Sequence, residues 1–453
     1  MRASVGWGLF VLAVVGCACL VVEHDAPWYL AAGDLILRTG ALPTRDPFSF
    51  TSTVPWLDHE WLSEVLLALA YRAGGWPALG LLTAVGAAVT IALLVRATRP
   101  RGGWDGAAPI VWALLLVVLR EVGAPRATLF ADLGFAATLA LALDEDRPRL
   151  WACVPIQLLW TQLHGGNPLG VALLGLRWLT GPTRRRGLVA AACALATLAG
   201  PYGARVHAHF LGARAGLPMI REWQPLAAAL AEGAVGAWVA FALVAAALAF
   251  LAMELRREPR DARARFLLAA VAIFGAAGWR WARFSTEAAL VAACALAPGL
   301  GARTRVRPVL ALPAAAALAV ALALAGARRP GLGLDADRFP VEATAWLRAH
   351  RPAGPMFNSY NFGGWLLWAR PEEPVFVDGR AFTVYAPELL AELPALYAEP
   401  RRFDAWVARY GLRLAVLQRQ GRGAALDAWL AAQPAWSLAH RDAIADVFVR
   451  ATP

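Results

Sequence analysis

The chain has 453 residues, 59% of them hydrophobic and only 17% charged, with 43 basic against 32 acidic side chains and a net charge of +11. Mean hydropathy is +0.51, and a soluble protein carries about a quarter charged residues, so most of this chain belongs in lipid. The basic excess is all arginine and falls in short clusters between apolar runs, which is how membrane loops look and which excludes a nucleic-acid surface.

Apolar runs of spanning or near-spanning length occur about eleven times, at 5–22, 77–95, 107–121, 127–143, 150–164, 168–181, 187–200, 233–253, 264–279, 284–300 and 308–326. Arginine concentrates in alternate loops, at 96–103, 144–149, 183–187, 254–265 and 301–308. The positive-inside bias makes these loops cytoplasmic, so the first loop, 23–76, is extracytoplasmic. An odd number of spans puts the tail on that same outer side. The division expected is a multi-pass domain over 1–329 and a soluble extracytoplasmic domain over 330–453.

The first loop opens with Glu23-His24-Asp25, within a residue or two of the end of the first span. A carboxylate there is partly desolvated, which suits a general base; a polar helix boundary is the plainer reading. Residues 27–38 read as a short amphipathic helix on the membrane surface, with an Asp34/Arg38 pair at i,i+4. Asp58-His59-Glu60 then precedes a second helix, 61–72, stopped by Gly74-Gly75. Asp58 reads either as that helix's N-cap or, with His59 and Glu60, as an acceptor site or the ligands of a divalent cation such as Mg or Mn.

The later outer loops gather polar and aromatic residues. They carry Glu121 and Arg126, His164 with Gly165, Gly166 and Asn167, the run 200–225, and Arg280 and Arg283 around Trp281. Arginine is ordinarily sparse on the outer side, so these side chains are expected to meet a phosphate, with aromatic-belt snorkelling the competing reading. All five cysteines lie inside apolar runs, without disulfide or metal spacing.

After residue 330, strand-like and helix-like pieces alternate, predicting a small α/β domain with a mainly parallel sheet. Two of its stretches stand out: 358–368, with Asn358 and Tyr360, and 376–385, with Asp378, Arg380 and Tyr385. A strand ending in Asp-Gly-Arg presents polar groups where open α/β sheets bind ligands; a turn with an ion pair fits equally. No nucleotide-binding or serine-hydrolase motif is present.

The pattern of many spans, an acidic residue just after the first and interfacial helices in the first outer loop resembles the GT-C superfamily of integral-membrane glycosyltransferases. Asp25, the 28–43 helix and the 58–75 helix carry the resemblance. It is similar in particular to the bacterial branch of protein mannosyltransferases and lipid A aminoarabinose transferases. Here, however, Asp25 is followed by Ala26 rather than Glu, and Asp58-His59-Glu60-Trp61 stands where a Pro-Pro-Leu element is usual. The stretches at 46–51, 58–64, 163–166, 361–368 and 375–380 together resemble a group of bacterial GT-C-like membrane proteins over nearly the whole chain. More distantly, the tail resembles the soluble domain of oligosaccharyltransferase catalytic subunits, without their Trp-Trp-Asp run.

The resemblance implies a polytopic α-helical membrane protein of the bacterial inner membrane. It would transfer a sugar with inversion from a polyprenyl-phosphate donor to a glycan, lipid or protein acceptor. Asp25, with Glu23 in reserve, would be the base, and Arg126, His164, Arg280 and Arg283 would bind the lipid phosphate. A GT-C-like binding subunit without activity and a polysaccharide or lipid transporter are the alternatives.

Overall fold

The computed structural model describes residues 10–451, apart from 12, 100–107, 145–146, 213–219 and, within 304–327, all but 313, 316, 317 and 320. The chain divides into two compact units. One comprises Met1–Val21, Ala73–Arg205 and Ile220–Gly333, and the other Val22–Arg72, Val206–Met219 and Leu334–Pro453. The first loop thus groups with the tail rather than with the apolar helices that flank it in sequence.

The loop's first helix, α1 (Ala26–Thr39), has Pro27 in its opening turn and ends at Gly40 in the left-handed conformation. Next comes α2 (Trp61–Thr98), whose backbone leaves helical geometry at Gly74 and Gly75. Gly75 sits at φ +63°, which only glycine adopts at little cost, so the expected stop is a kink between an outer helix and a span.

The apolar unit continues through α3 (Ala108–Val122), α4 (Thr128–Leu143), α5 (Cys153–Leu163), α6 (Pro168–Leu179) and α7 (Arg184–Ala196); α8 (Ala204–Gly212) falls mostly in the other unit, and α9 (Leu226–Ala231), α10 (Val235–Arg257), α11 (Ala262–Arg280) and α12 (Ser285–Arg303) return to the apolar one. Among the described residues three helices are long and apolar enough to cross a bilayer: α2, α10 and α11. Helices α4 and α6 are apolar but shorter. Of the eleven spans expected, 5–22 lies partly and 308–326 mostly outside the described residues. Others end early where the sequence breaks them, as α3 does before Gly123 and α5 before His164-Gly165-Gly166.

The centre of this unit is α12, where every residue from Ala288 to Ala297 is buried. It packs on α3, α10 and α11. A helix covered on all sides suits a run of Ala, Val, Leu and Cys with no polar face, and small side chains let neighbouring backbones come close. All five cysteines are free and buried.

In the second unit, α13 (Val341–His350), β1 (Met356–Asn358), α14 (Tyr360–Ala369), α15 (Pro387–Ala398), α16 (Phe403–Tyr410), β2 (Leu414–Gln418), α17 (Ala424–Ala431), β3 (Trp436–Arg441) and β4 (Ala445–Arg450) follow in order. They form a four-stranded sheet of order β1-β2-β4-β3. The expected α/β alternation is there, but the mainly parallel sheet is not. Only β1 and β2 are parallel, while β4 pairs antiparallel with β2 and β3. The cause is local: β3 and β4 meet in a tight turn, where the Asp442 carboxylate accepts from the N–H groups of Ile444 and Ala445, both at 2.7 Å.

The predicted strand before Asp378 is not a member of this sheet either. Residues 375–377 are extended but bond elsewhere: Val375 donates to the Phe48 carbonyl (2.9 Å) and accepts from Phe50 (3.3 Å). The Asn358 side chain supplies further bonds, accepting from Phe376 N–H at 2.8 Å and donating to the Val377 carbonyl at 2.7 Å. The first outer loop therefore lends this segment its backbone partner.

Candidate functional site

The first acidic cluster stands at the start of α1. Asp25 occupies the N-cap position, yet its side chain makes no capping hydrogen bond. Instead Oδ1 lies against Gly379: a Cβ built on that glycine would fall 1.7 Å from it. Trp28 Nε1 borders the same point at 3.3 Å. Close approach is built in on the other side too, since Cβ atoms on Gly363 and Gly364 would meet the Val377 carbonyl at 2.0 Å and the His24 carbonyl at 2.5 Å. The paired glycines of the 358–368 stretch thus seat α14 against both the Asp-Gly-Arg segment and the residue before Asp25. His24 turns inward onto Phe339, ring centroids 5.3 Å apart, and burial, helped by Arg338, holds its pKa below the usual value.

Asp378, Arg380 and Tyr385 come together, with a fourth member that the sequence reading missed. Arg380 donates to both oxygens of Asp378 (2.8 and 2.7 Å) and to both of Asp46 (2.6 and 3.1 Å), while the Tyr385 hydroxyl donates to Asp378 at 2.5 Å. Phe48 and Trp56 lie against the guanidinium at 5.3 and 4.9 Å from their ring centroids. The side chains of the whole group are buried. Burial pushes Asp46 up in spite of Arg380; at Asp378 the arginine and tyrosine outweigh burial and hold the carboxyl low. Of the two readings offered, this is the ion pair, extended to fasten Asp46 of the first loop to the turn that carries Gly379. Of the other two tail residues, Asn358 completes the 375–377 bonding, and the Tyr360 N–H points to the Tyr397 hydroxyl at 3.4 Å.

The second acidic cluster splits in two. Glu60 accepts from Tyr29 (2.5 Å) and pairs with His59 (3.4 Å), whose ring meets Phe210 edge-on. Asp58 turns the other way, toward the Glu64 carboxyl, buried and with neither oxygen in a well-formed hydrogen bond. Burial pushes Asp58 up to about 6, the adjacent Glu64 and His59 opposing the shift. Asp58 is not an N-cap, and Asp58, His59 and Glu60 do not face a common point as a cation cage would. Among the described residues the three metal-ligand side chains that do approach one another are Glu342, His440 and Asp442. There Asp442 is already taken by backbone N–H groups, Ala343 at 3.0 Å among them.

The Asp34/Arg38 pair is replaced as well. Asp34 pairs with Arg72 at 2.6 Å, and Arg38 donates only to the Asp34 backbone carbonyl. Helix α2 crosses α1 so closely at Gly33, where a Cβ would fall 2.1 Å from the Glu64 carbonyl, that Arg72 comes over Asp34.

A separate polar centre lies in the apolar unit. Glu222, in the turn Arg221–Trp223, accepts from Arg126 at 2.7 Å on one oxygen and from Arg283 at 2.6 Å on the other. Burial works against the charge, but the two arginines bring the Glu222 pKa down to about 2. Arg126 also donates to Thr128 (3.0 Å), and Arg283 reaches His164 Nε2 at 2.8 Å. His164 is held by Gly166 N–H on Nδ1 (2.8 Å) and by Asn167 on its carbonyl (3.1 Å). Arg126, His164 and Arg283 are thus brought together; Arg280 is not, being exposed and stacked over Trp281 at 4.9 Å. Asp132 and Glu287 stand within electrostatic reach of Arg283. Like Glu222, they were missed. Their signal was a single carboxylate in or beside an apolar run, which is costly unless partnered.

The fold is similar to that of the oligosaccharyltransferase of Archaeoglobus fulgidus, which in one crystal structure is tethered by a disulfide bond to an acceptor peptide containing the NVT sequon and in another is in the apo form. The TM-scores are 0.59 and 0.58, each at 12% identity. The alignments cover 91% and 94% of this chain and 69% and 71% of the other. No protein-family model matches the chain, and no curated protein matches it.

Proposed function

We propose that the protein is a glycosyltransferase that moves a sugar from a polyprenyl-phosphate donor to an acceptor hydroxyl or amide outside the membrane. The observation that carries this reading is the Asp25 carboxylate. It lies one residue before the first-loop helix, is not spent on capping and is braced by Gly379, in a chain with a GT-C-like fold. Asp25 takes the proton from the acceptor as its oxygen or nitrogen bonds to the sugar's anomeric carbon. The bond from that carbon to the phosphate oxygen breaks, the electron pair leaves on the phosphate, and configuration inverts. Arg126 and Arg283, supported by His164, stabilise that leaving phosphate. The positive-inside bias puts both sets of residues in outer segments. Glu23 is the reserve base, and the tail contributes to acceptor choice.

The test is transfer of radiolabelled sugar from polyprenyl-phosphate sugars in membranes holding either the wild type or Asp25→Asn. The variant is expected to lose at least about a hundredfold in rate, the usual contribution of a general base, at unchanged protein level. Equal product from both would remove Asp25 from the chemistry.

A further inference from the structure

The two arginines assigned to phosphate already hold an anion. Glu222 offers one carboxylate oxygen to each, at 2.7 and 2.6 Å. Its side chain and those of Arg126 and Arg283 each keep roughly a fifth of their surface exposed (24, 18 and 20%), so the group is reachable from solvent. The turn beneath Glu222 is fixed: Trp223 N–H bonds the Ile220 carbonyl at 3.0 Å, and Ala282 N–H bonds the Gln224 carbonyl at 2.9 Å. Arg283 is packed over the Trp223 ring at 5.4 Å. The carboxylate is therefore free to change place by side-chain rotation while the backbone and both guanidinium groups stay.

We infer that Glu222 is an internal stand-in for the phosphate, a latch that occupies the Arg126–Arg283 anion site until a phosphorylated ligand displaces it. This rests on the phosphate-binding reading of those arginines. A phosphate presents paired oxygens much as a carboxylate does, so it replaces Glu222 on both guanidinium groups without a new backbone conformation. Asp132 and Glu287 are the other carboxyls that act on these arginines, and they repel the anion in both states alike. The latch lets the site discriminate: a neutral sugar or a weakly charged headgroup does not repay the loss of two charge-assisted hydrogen bonds.

The experiment uses the full-length protein in detergent, titrated by calorimetry with inorganic phosphate and with farnesyl phosphate. Glu222→Gln keeps the size and removes the charge; it is expected to bind about tenfold more tightly than the wild type, equivalent to about 1.4 kcal/mol. Adding Arg283→Gln should cancel the gain. A gain with both probes makes phosphate alone sufficient, and a gain with farnesyl phosphate only makes the lipid-linked headgroup the ligand. Unchanged or weaker binding by Glu222→Gln, with Arg283→Gln still weakening the wild type, overturns the latch and leaves the phosphate site standing. Binding of neither probe to either protein overturns both. Should Glu222→Gln not fold, Glu222→Asp serves: one methylene shorter, it cannot span the two arginines and should also bind more tightly than wild type.

Discussion

At the scale of single residues, burial decides which acidic side chains hold a proton. Asp58 and Glu64 put two carboxyls side by side out of water, and Asp58 is pushed up to about 6 from an ordinary 3.8. The folded state thus binds this proton more tightly than the unfolded one. The sign follows: stability is greatest below the ordinary carboxylate range, falls as pH rises from about 4 to 6, and levels off above. Asp58→Asn removes that loss. Its advantage over wild type should grow across the window to at most about 3 kcal/mol, read as thermal unfolding in detergent between pH 4 and 8; parallel curves would contradict the assignment. Asp25, Asp58, His59 and Glu60 were legible from sequence because acidic clusters stand out beside apolar runs. Asp46 and Glu222 were not, since each is a lone carboxylate whose arginine partner is distant in sequence: Asp46 meets Arg380, and Glu222 meets Arg126 and Arg283.

At the scale of elements, local signals placed most helices and failed on pairing. Pro27 opens the first of the loop's helices and Gly74-Gly75 interrupts the second, in sequence and in structure alike. The 375–377 segment is the short apolar run of a buried strand, yet its hydrogen bonds run to Phe48, Phe50 and the Asn358 amide, partners that no local pattern announces. The parallel sheet was over-read because one strand of the hairpin, Trp436–Arg441, was not among the strand-like pieces read from the sequence. The closeness of α14 to that segment yields a test. Gly363→Ala would drive a methyl to 2.0 Å from the Val377 carbonyl, so helix or segment must shift. A loss of at least about 1–3 kcal/mol is expected, as for other overpacked cores, and a fall in unfolding temperature reads it. An unaltered midpoint would show that α14 does not approach Val377 so closely.

At the scale of the whole molecule, the sequence carried the membrane class, and among the described residues three helices are long and apolar enough to agree with it. What it did not carry is the grouping of Val22–Arg72 with Leu334–Pro453. Loop and tail lie hundreds of residues apart, joined by the Asp46–Arg380 ion pair and the bonds from Phe48 and Phe50 to Val375. Asp25 and Gly379 thereby belong to one folded unit, and the proposed base is held by the tail. The count of spans was less legible, because glycine, proline and histidine cut several apolar runs into helices shorter than a bilayer needs.

The most direct measurement follows the phosphate and the anomeric carbon together. Purified full-length protein is incubated with a polyprenyl-phosphate sugar and an acceptor-containing envelope extract. Free polyprenyl phosphate is read by phosphorus NMR and the product's anomeric configuration by proton NMR. The proposed mechanism predicts polyprenyl phosphate released in step with product, configuration inverted, and both signals lost in Asp25→Asn. Retained configuration, or no phosphate release by wild type from a donor shown to be bound, would contradict it.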